Sequence, residues 1–128
     1  MERLLKIAFL GLLLFGVLPA SAQEDQEKAV RAAKKYMQEA EEALAENDMA
    51  TAEALYRKAI AKDPANAEAR YNLGNIYYKN EITGEAVERH TQSAKVAEER
   101  PLKHDSYHNQ GNAYMKQKKY KEAVEAYK

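Results

Sequence analysis

Three features of residues 23–128 predict an all-α repeat fold. Alanine occurs twenty times there against ten Val, Ile and Thr together; Ala is the best helix former and β-branched residues are poor ones. Apolar residues recur at helical spacing in paired segments split by short polar breaks, such as Asn47-Asp48 and Thr83-Gly84. The stretch also repeats itself. Asn72-Leu-Gly-Asn-Ile-Tyr-Tyr-Lys79 returns 37 residues later as Asn109-Gln-Gly-Asn-Ala-Tyr-Met-Lys116, and Glu85-Ala-Val-Glu88 returns at the same offset as Glu122-Ala-Val-Glu125.

Composition narrows the function classes. A chain of 128 residues suits one domain. Twenty basic residues balance twenty acidic ones, so no global field draws the protein to nucleic acid or to an acidic membrane. The absence of cysteine excludes disulfides, thiol catalysis and Cys-ligated metal. No Phe or Trp follows Phe15, which leaves Ala and nine Tyr as the packing pieces of the helices.

Residues 1–22 read as a secretory signal. Arg3 and Lys6 precede an apolar run from Ile7 to Leu18, Pro19 ends it, and Ala20-Ser21-Ala22 supplies the small residues of a cleavage site. Twelve residues at ~1.5 Å each reach about 18 Å, short of a ~30 Å hydrocarbon core, so the run suits a signal better than an anchor. The expected mature chain starts at Gln23 and lies in the periplasm or outside the cell.

The remaining elements follow in pairs. Each unit holds two helical segments, and the units cover about residues 33–66, 67–103 and 104–128. Gly74 and Gly111 fall inside helical patterns, where each costs roughly 1 kcal/mol against Ala. That cost fits a close approach of two helices, with Ala52, Ala86 and Ala123 as the matching small surfaces and Tyr56, Tyr77, Tyr114 and Tyr127 as fillers. Asn66 and Thr83 are the expected N-caps.

These residues resemble the tetratricopeptide repeat (TPR), a helix–turn–helix unit of 34 residues. In the second unit, starting at Ala67, Leu73-Gly74, Tyr77 and Ala86 stand at the family's Leu-Gly pair, tyrosine and alanine. In the third, starting at His104, Gly111, Tyr114, Ala123 and Tyr127 fill the glycine, tyrosine, alanine and second-helix aromatic places. In the first, starting at Ala33, Tyr36, Ala52, Tyr56, Ala59 and Pro64 match. The resemblance implies an all-α TPR solenoid of about three repeats with a concave face. There are departures. Glu39 and Ala40 replace Leu-Gly, implying a longer first helix that acts partly as a cap. His90 and Ser93 replace an aromatic and an alanine, and Pro101 comes three residues late, implying a second helix about one turn longer in that unit. Gln110 replaces a leucine. Lys128 falls before the last repeat is complete, so the final helix is expected to expose Tyr120, Val124 and Tyr127, as the end of a fragment would.

A narrower resemblance is to the TPR proteins of Bacteroides-type aerotolerance (Bat) operons. It rests on the secretory signal followed by Tyr71-Asn-Leu-Gly-Asn75 and His108-Asn-Gln-Gly-Asn112. It implies an exported protein that assembles with membrane-bound partners carrying von Willebrand A-type domains.

Catalysis has no visible residues. Nothing resembles a P-loop, a dinucleotide fingerprint, a nucleophile elbow or a zincin motif, and no cofactor is expected. His104-Asp105-x-x-His108 has metal-ligand spacing, and His90 is the one further histidine. A solvated helix start after Pro101 explains the pair as well, and a metal-binding protein through His104 and His108 is the remote alternative. The acidic runs lie in helical patterns rather than calcium loops. Lys116, Lys118, Lys119 and Lys121 around Tyr120 form a basic helix-turn surface.

The family resemblance implies a binding module whose groove receives a peptide or helix of another protein. Its lining would be Glu68, Tyr71, Asn72, Asn75, Tyr78 and Lys79 in the second unit. In the third it would be Asp105, His108, Asn109, Asn112, Met115 and Lys116. Asn72, Asn75, Asn109 and Asn112 are the principal candidates, because an amide both donates and accepts and so pairs with a peptide main chain. Tyr71, Tyr78 and Met115 offer apolar contact, and Lys79 and Lys116 face acidic groups. In the alternative role, Asn75 and Asn112 bond to neighbouring helices and set the repeat angle. The family's carboxylate clamp for chaperone tails is not implied: Asn75 and Asn109 match its asparagines, but Tyr71 stands where its first lysine belongs and its third repeat is absent. Self-assembly through the incomplete last repeat is the competing structural role.

Overall fold

The computed structural model describes residues 19–128 as six helices: α1 (Ala20–Ala45), α2 (Met49–Lys62), α3 (Ala67–Lys79), α4 (Thr83–Val96), α5 (Arg100–Lys116) and α6 (Tyr120–Tyr127). The apolar run read from the sequence as part of a secretory signal lies outside the described residues, and Ala20–Ala22 form the first turn of α1. No helix of the described residues is long and apolar enough to cross a membrane. Each helix packs on its neighbours in the chain, and α3 also touches α5. The result is an all-α solenoid, as the repeat pattern predicts.

The same closure ends α1, α3 and α5. Asn47, Glu81 and Lys118 take φ near +60°. The following amide then reaches back to the carbonyl five residues earlier: Asp48 to Ala43 at 2.8 Å, Ile82 to Tyr77 at 2.9 Å and Lys119 to Tyr114 at 3.0 Å. This satisfies carbonyls that a helix end leaves open. Asn tolerates the left-handed backbone, whereas Glu81 and Lys118 hold it at a steric cost.

Helix starts differ from one another. Asp48 caps α2 by accepting from the Thr51 amide at 3.1 Å, and Asn66 caps α3 by accepting from the Ala69 amide at 2.9 Å. Thr83 is not a cap. The chain leaves the left-handed turn one residue earlier, so Ile82 occupies the N-cap without a side-chain bond. Thr83 is instead the first helical residue, and its hydroxyl accepts from Gln117 at 3.1 Å. The polar break accordingly lies over residues 80–82 rather than at Thr83-Gly84.

The late Pro101 also works differently from the expectation. Helix α4 has 14 residues, the same as α2, and ends at Val96. Pro101 sits in the first turn of α5, where a missing amide proton costs no hydrogen bond. The added residues therefore lengthen α5 to 17 residues against 13 in α3.

Alanine dominates the core. Ala33, Met37, Ala40 and Ala43 of α1 meet Ala52, Tyr56 and Ala59 of α2, which continue into Leu73, Ile76 and Tyr77 of α3. Small side chains let helices approach closely, and the few large ones fill the gaps between them. Tyr56 and Tyr77 are buried as expected, but Tyr114 is half-buried and Tyr127 is exposed at the outer end of the stack. Tyr77 also ties α2 to α3, accepting from Arg57 and donating to Glu53 at 3.0 Å. Ser93 replaces the usual small apolar residue without leaving its hydroxyl idle. It donates to the Ala67 carbonyl at 2.8 Å and lies 2.8 Å from Ser106 Oγ.

Gly74 and Gly111 serve close approach, and the groups nearest to them are rings rather than alanines. A Cβ on Gly74 would lie 2.8 Å from the His90 ring, and one on Gly111 would lie 2.5 Å from the Tyr127 ring. The glycines seat the second-helix rings.

Candidate functional site

The first helices of successive pairs, α1, α3 and α5, contribute side chains to one cavity of about 380 Å³. Its lining is Leu44 from α1, Asn72, Asn75, Ile76, Tyr78 and Lys79 from α3, and Asn109 and Asn112 from α5. Six of the nine sequence-selected binding residues thus meet in one space. Tyr71, Met115 and Lys116 do not line it. Tyr71 accepts from Asn109 through its hydroxyl, Met115 is exposed, and Lys116 sits with its ammonium 4.0 Å from the centre of the Tyr78 ring. That distance is a cation–π contact.

Leu44 and Ile76 were missed by the motif reading. Leu44 precedes Tyr78 by 34 residues, one repeat length, which was the available signal. In the first unit's register, starting at Ala33, Leu44 already stands at the place of Tyr78, but only the second and third units were carried over to the groove lining. Together Leu44 and Ile76 add aliphatic surface to the amide-rich lining.

The asparagines are partly committed to each other. Asn109 Nδ2 donates to Tyr71 Oη at 3.1 Å and to Asn75 Oδ1 at 3.0 Å, which joins α5 to α3. Asn112 Oδ1 accepts from the Tyr127 hydroxyl at 2.7 Å, joining α5 to α6. Asn75, Asn109 and Asn112 therefore do double duty as an inter-helix frame. Asn72 stands apart, with no hydrogen bond of normal geometry among the described residues. Its amide lies beside the buried Tyr56 phenol, which burial pushes up to about 12, helped by the Glu41 carboxylate and opposed by Asn72. Neither Lys79 nor Lys116 has a carboxylate within ion-pair distance among the described residues.

The three histidines do not converge on one point. His104 and His108 stack with ring centres 6.3 Å apart, and the His104 side chain is 80% exposed. His90 is fully buried on another helix. No group of three possible ligands occurs among the described residues.

Repeat spacing, paired helices and a concave first-helix face define a class of protein. A TPR repeat family model matches residues 40–81, and a tetratricopeptide repeat model matches residues 104–128. Solved structures agree on the fold. The N-terminal domain of stress-induced protein-1 (STI-1) from C. elegans superposes with TM-score 0.74 at 24% identity, over 77% of this chain and 80% of that one. The second TPR of Spaghetti (RPAP3), bound to an HSP90 peptide, gives 0.73 at 23% identity, over 81% and 93%. MamA gives 0.69 at 23% identity, over 87% of this chain and 61% of its own length. No curated protein matches the sequence. The chain carries tetratricopeptide repeats and folds as an all-α TPR solenoid.

Proposed function

We propose that this chain is a non-catalytic interaction module that holds a peptide or helix of a partner protein on its concave face. The cavity shared by α1, α3 and α5 is the observation that carries this reading. Leu44 and Ile76 in its lining suit an apolar anchor side chain. Asn72 and the unspent amide nitrogen of Asn75 suit the partner's main chain, and Lys79 and Lys116 suit its acidic groups. TPR domains commonly mediate protein–protein contacts, and the RPAP3 repeat carries a peptide in its structure.

The signal-like pattern of residues 1–22 supports a working site in the periplasm or outside the cell. The partner we favour is an envelope protein, such as a membrane-anchored von Willebrand A-type protein, with this module scaffolding the complex. N-terminal sequencing of the protein from its native cell should give Gln23. A start at Met1 in a cytoplasmic fraction would refute export.

The immobilised chain should capture an envelope protein that an Asn72→Ala/Lys79→Glu variant does not. Asn72 bridges no helices, and Lys79 is exposed. The variant's unfolding free energy should therefore stay within about 1 kcal/mol of the parent. Equal capture by parent and variant would remove the groove from the mechanism. One observation favours self-assembly as a second role: Tyr120, Val124 and Tyr127 are 56%, 54% and 43% exposed on α6.

A further inference from the structure

We propose that His90 is an acid-sensitive latch, whose protonation releases α4 from α3 and dismantles the hydrogen-bonded frame of the concave face. The inference takes its functional meaning from the groove reading, but its structural content concerns the chain alone.

The His90 ring is fully buried between two helices. It rests on the bare backbone of Gly74, with three ring atoms 2.8–2.9 Å from where a Cβ would stand. Tyr71 meets it edge-on, with ring centres 5.4 Å apart. Neither Nδ1 nor Nε2 has a hydrogen-bond partner among the described residues. The neutral imidazole already leaves one donor and one acceptor unmet. The imidazolium would bring two N–H groups and a charge into the same dry gap.

The third repeat supplies an internal comparison. Tyr127 lies 37 residues after His90 and covers Gly111 as His90 covers Gly74. Its hydroxyl has a partner, Asn112, and cannot acquire a positive charge. The second repeat keeps this packing but substitutes a group that can be protonated.

No neighbouring group offsets that charge. From α3 the titratable group against the ring is Tyr71. Within α4, Arg89 is engaged with Glu85 and Gln92. From α5 and the Gln117 that caps it, the polar groups that bond to α4 are neutral: Ser106, Gln110 and Gln117. Burial alone lowers the imidazole to about 4, with no carboxylate contributing.

The route to the groove is short. Tyr71 packs on His90 through its ring, and its hydroxyl accepts from Asn109, which also holds Asn75. Moving the ring outward removes the support of Tyr71 and thereby the α3–α5 tie.

The sign follows from linkage. The unfolded chain takes up this proton near pH 6.5, whereas the fold resists it down to about 4. His90 therefore leaves folding unaffected above about pH 6.5. It weakens folding progressively as pH falls from there to about 4, and adds no further loss below. Its full contribution is about 300-fold in the folding constant, of which about 50-fold separates pH 7 from pH 4.5.

The test is urea unfolding of the full chain at both pH values for the parent, His90→Phe and His90→Tyr. An NMR titration of the His90 ring and of the Asn75 and Asn109 side-chain amides accompanies it. The parent should lose about 50-fold more folding constant than either variant, and the amide signals should move in step with the ring. If a variant does not fold, the titration of the parent decides. The proposal falls if the variants keep the whole acid loss. It also falls if the ring titrates near 6.5 in the folded protein with both amides unmoved. No partner enters this experiment, so a failed envelope capture overturns the groove reading and leaves the latch to be judged by its own result.

Discussion

Tyr56→Ala should cost about 3–5 kcal/mol, the range for removing a large side chain from a packed core, and should release α1 from the stack. Tyr56 is the largest fully buried side chain, and its neighbours in the core are mostly alanines that cannot expand to fill the space. The hydroxyl contributes little of this. It is buried without a hydrogen bond of normal geometry, and burial raises its phenol to about 12. Tyr56→Phe should therefore stay within about 1 kcal/mol of the parent, since a lost hydroxyl with no partner leaves nothing unsatisfied. Urea unfolding of the two variants checks both values. A loss above about 2 kcal/mol for Tyr56→Phe would mean that Asn72 bonds the phenol in solution.

Gly74→Ala should destabilise by about 2 kcal/mol, and Gly111→Ala by less than about 1 kcal/mol, although the two glycines hold the same place in their repeats. At Gly74 the new methyl meets the His90 ring, which is buried and backed by Tyr71. The ring cannot yield without displacing α4, and overpacking of this kind costs typically 1–3 kcal/mol. At Gly111 the clash is nominally closer, but Tyr127 is 43% exposed on the last described helix and can turn into solvent. The lost Tyr127–Asn112 bond is then offset in part by about 1 kcal/mol of helix propensity. Thermal unfolding of the pair reads the difference directly. Equal losses would show that α6 is held as firmly as α4.

Repeat arithmetic made the helix pairs, the concave face and the asparagine cluster legible before any coordinates. The 37-residue offset puts Asn72 with Asn109 and Asn75 with Asn112, and helical geometry places all four on one side. The same arithmetic gave the positions of Gly74 and Gly111 but not their partners. A small residue announces a close approach without saying what approaches it. The bonds among Asn75, Asn109 and Tyr71 were not readable either, because an amide offers four possible contacts and the choice depends on sub-ångström helix spacing. The lengths of α4 and α5 were misjudged for a related reason. Pro101 serves equally to stop one helix or to start the next, and only the packing decides. His90 was visible as a departure from an aromatic position, while its isolation from every acceptor is a property of the assembled helices.

The stacking order of the helices carries a mechanical consequence. Among the described residues each helix leans mainly on its neighbours in the chain, and the contact of α3 with α5 is much smaller. Such an object behaves as a one-dimensional chain of coupled units, in which either end can open while the middle stays closed. The concave cavity draws on three of these units at once. A segment seated there acts as a tie rod across joints that the backbone connects only in series, so occupancy would turn a sequence of separate openings into a single cooperative one.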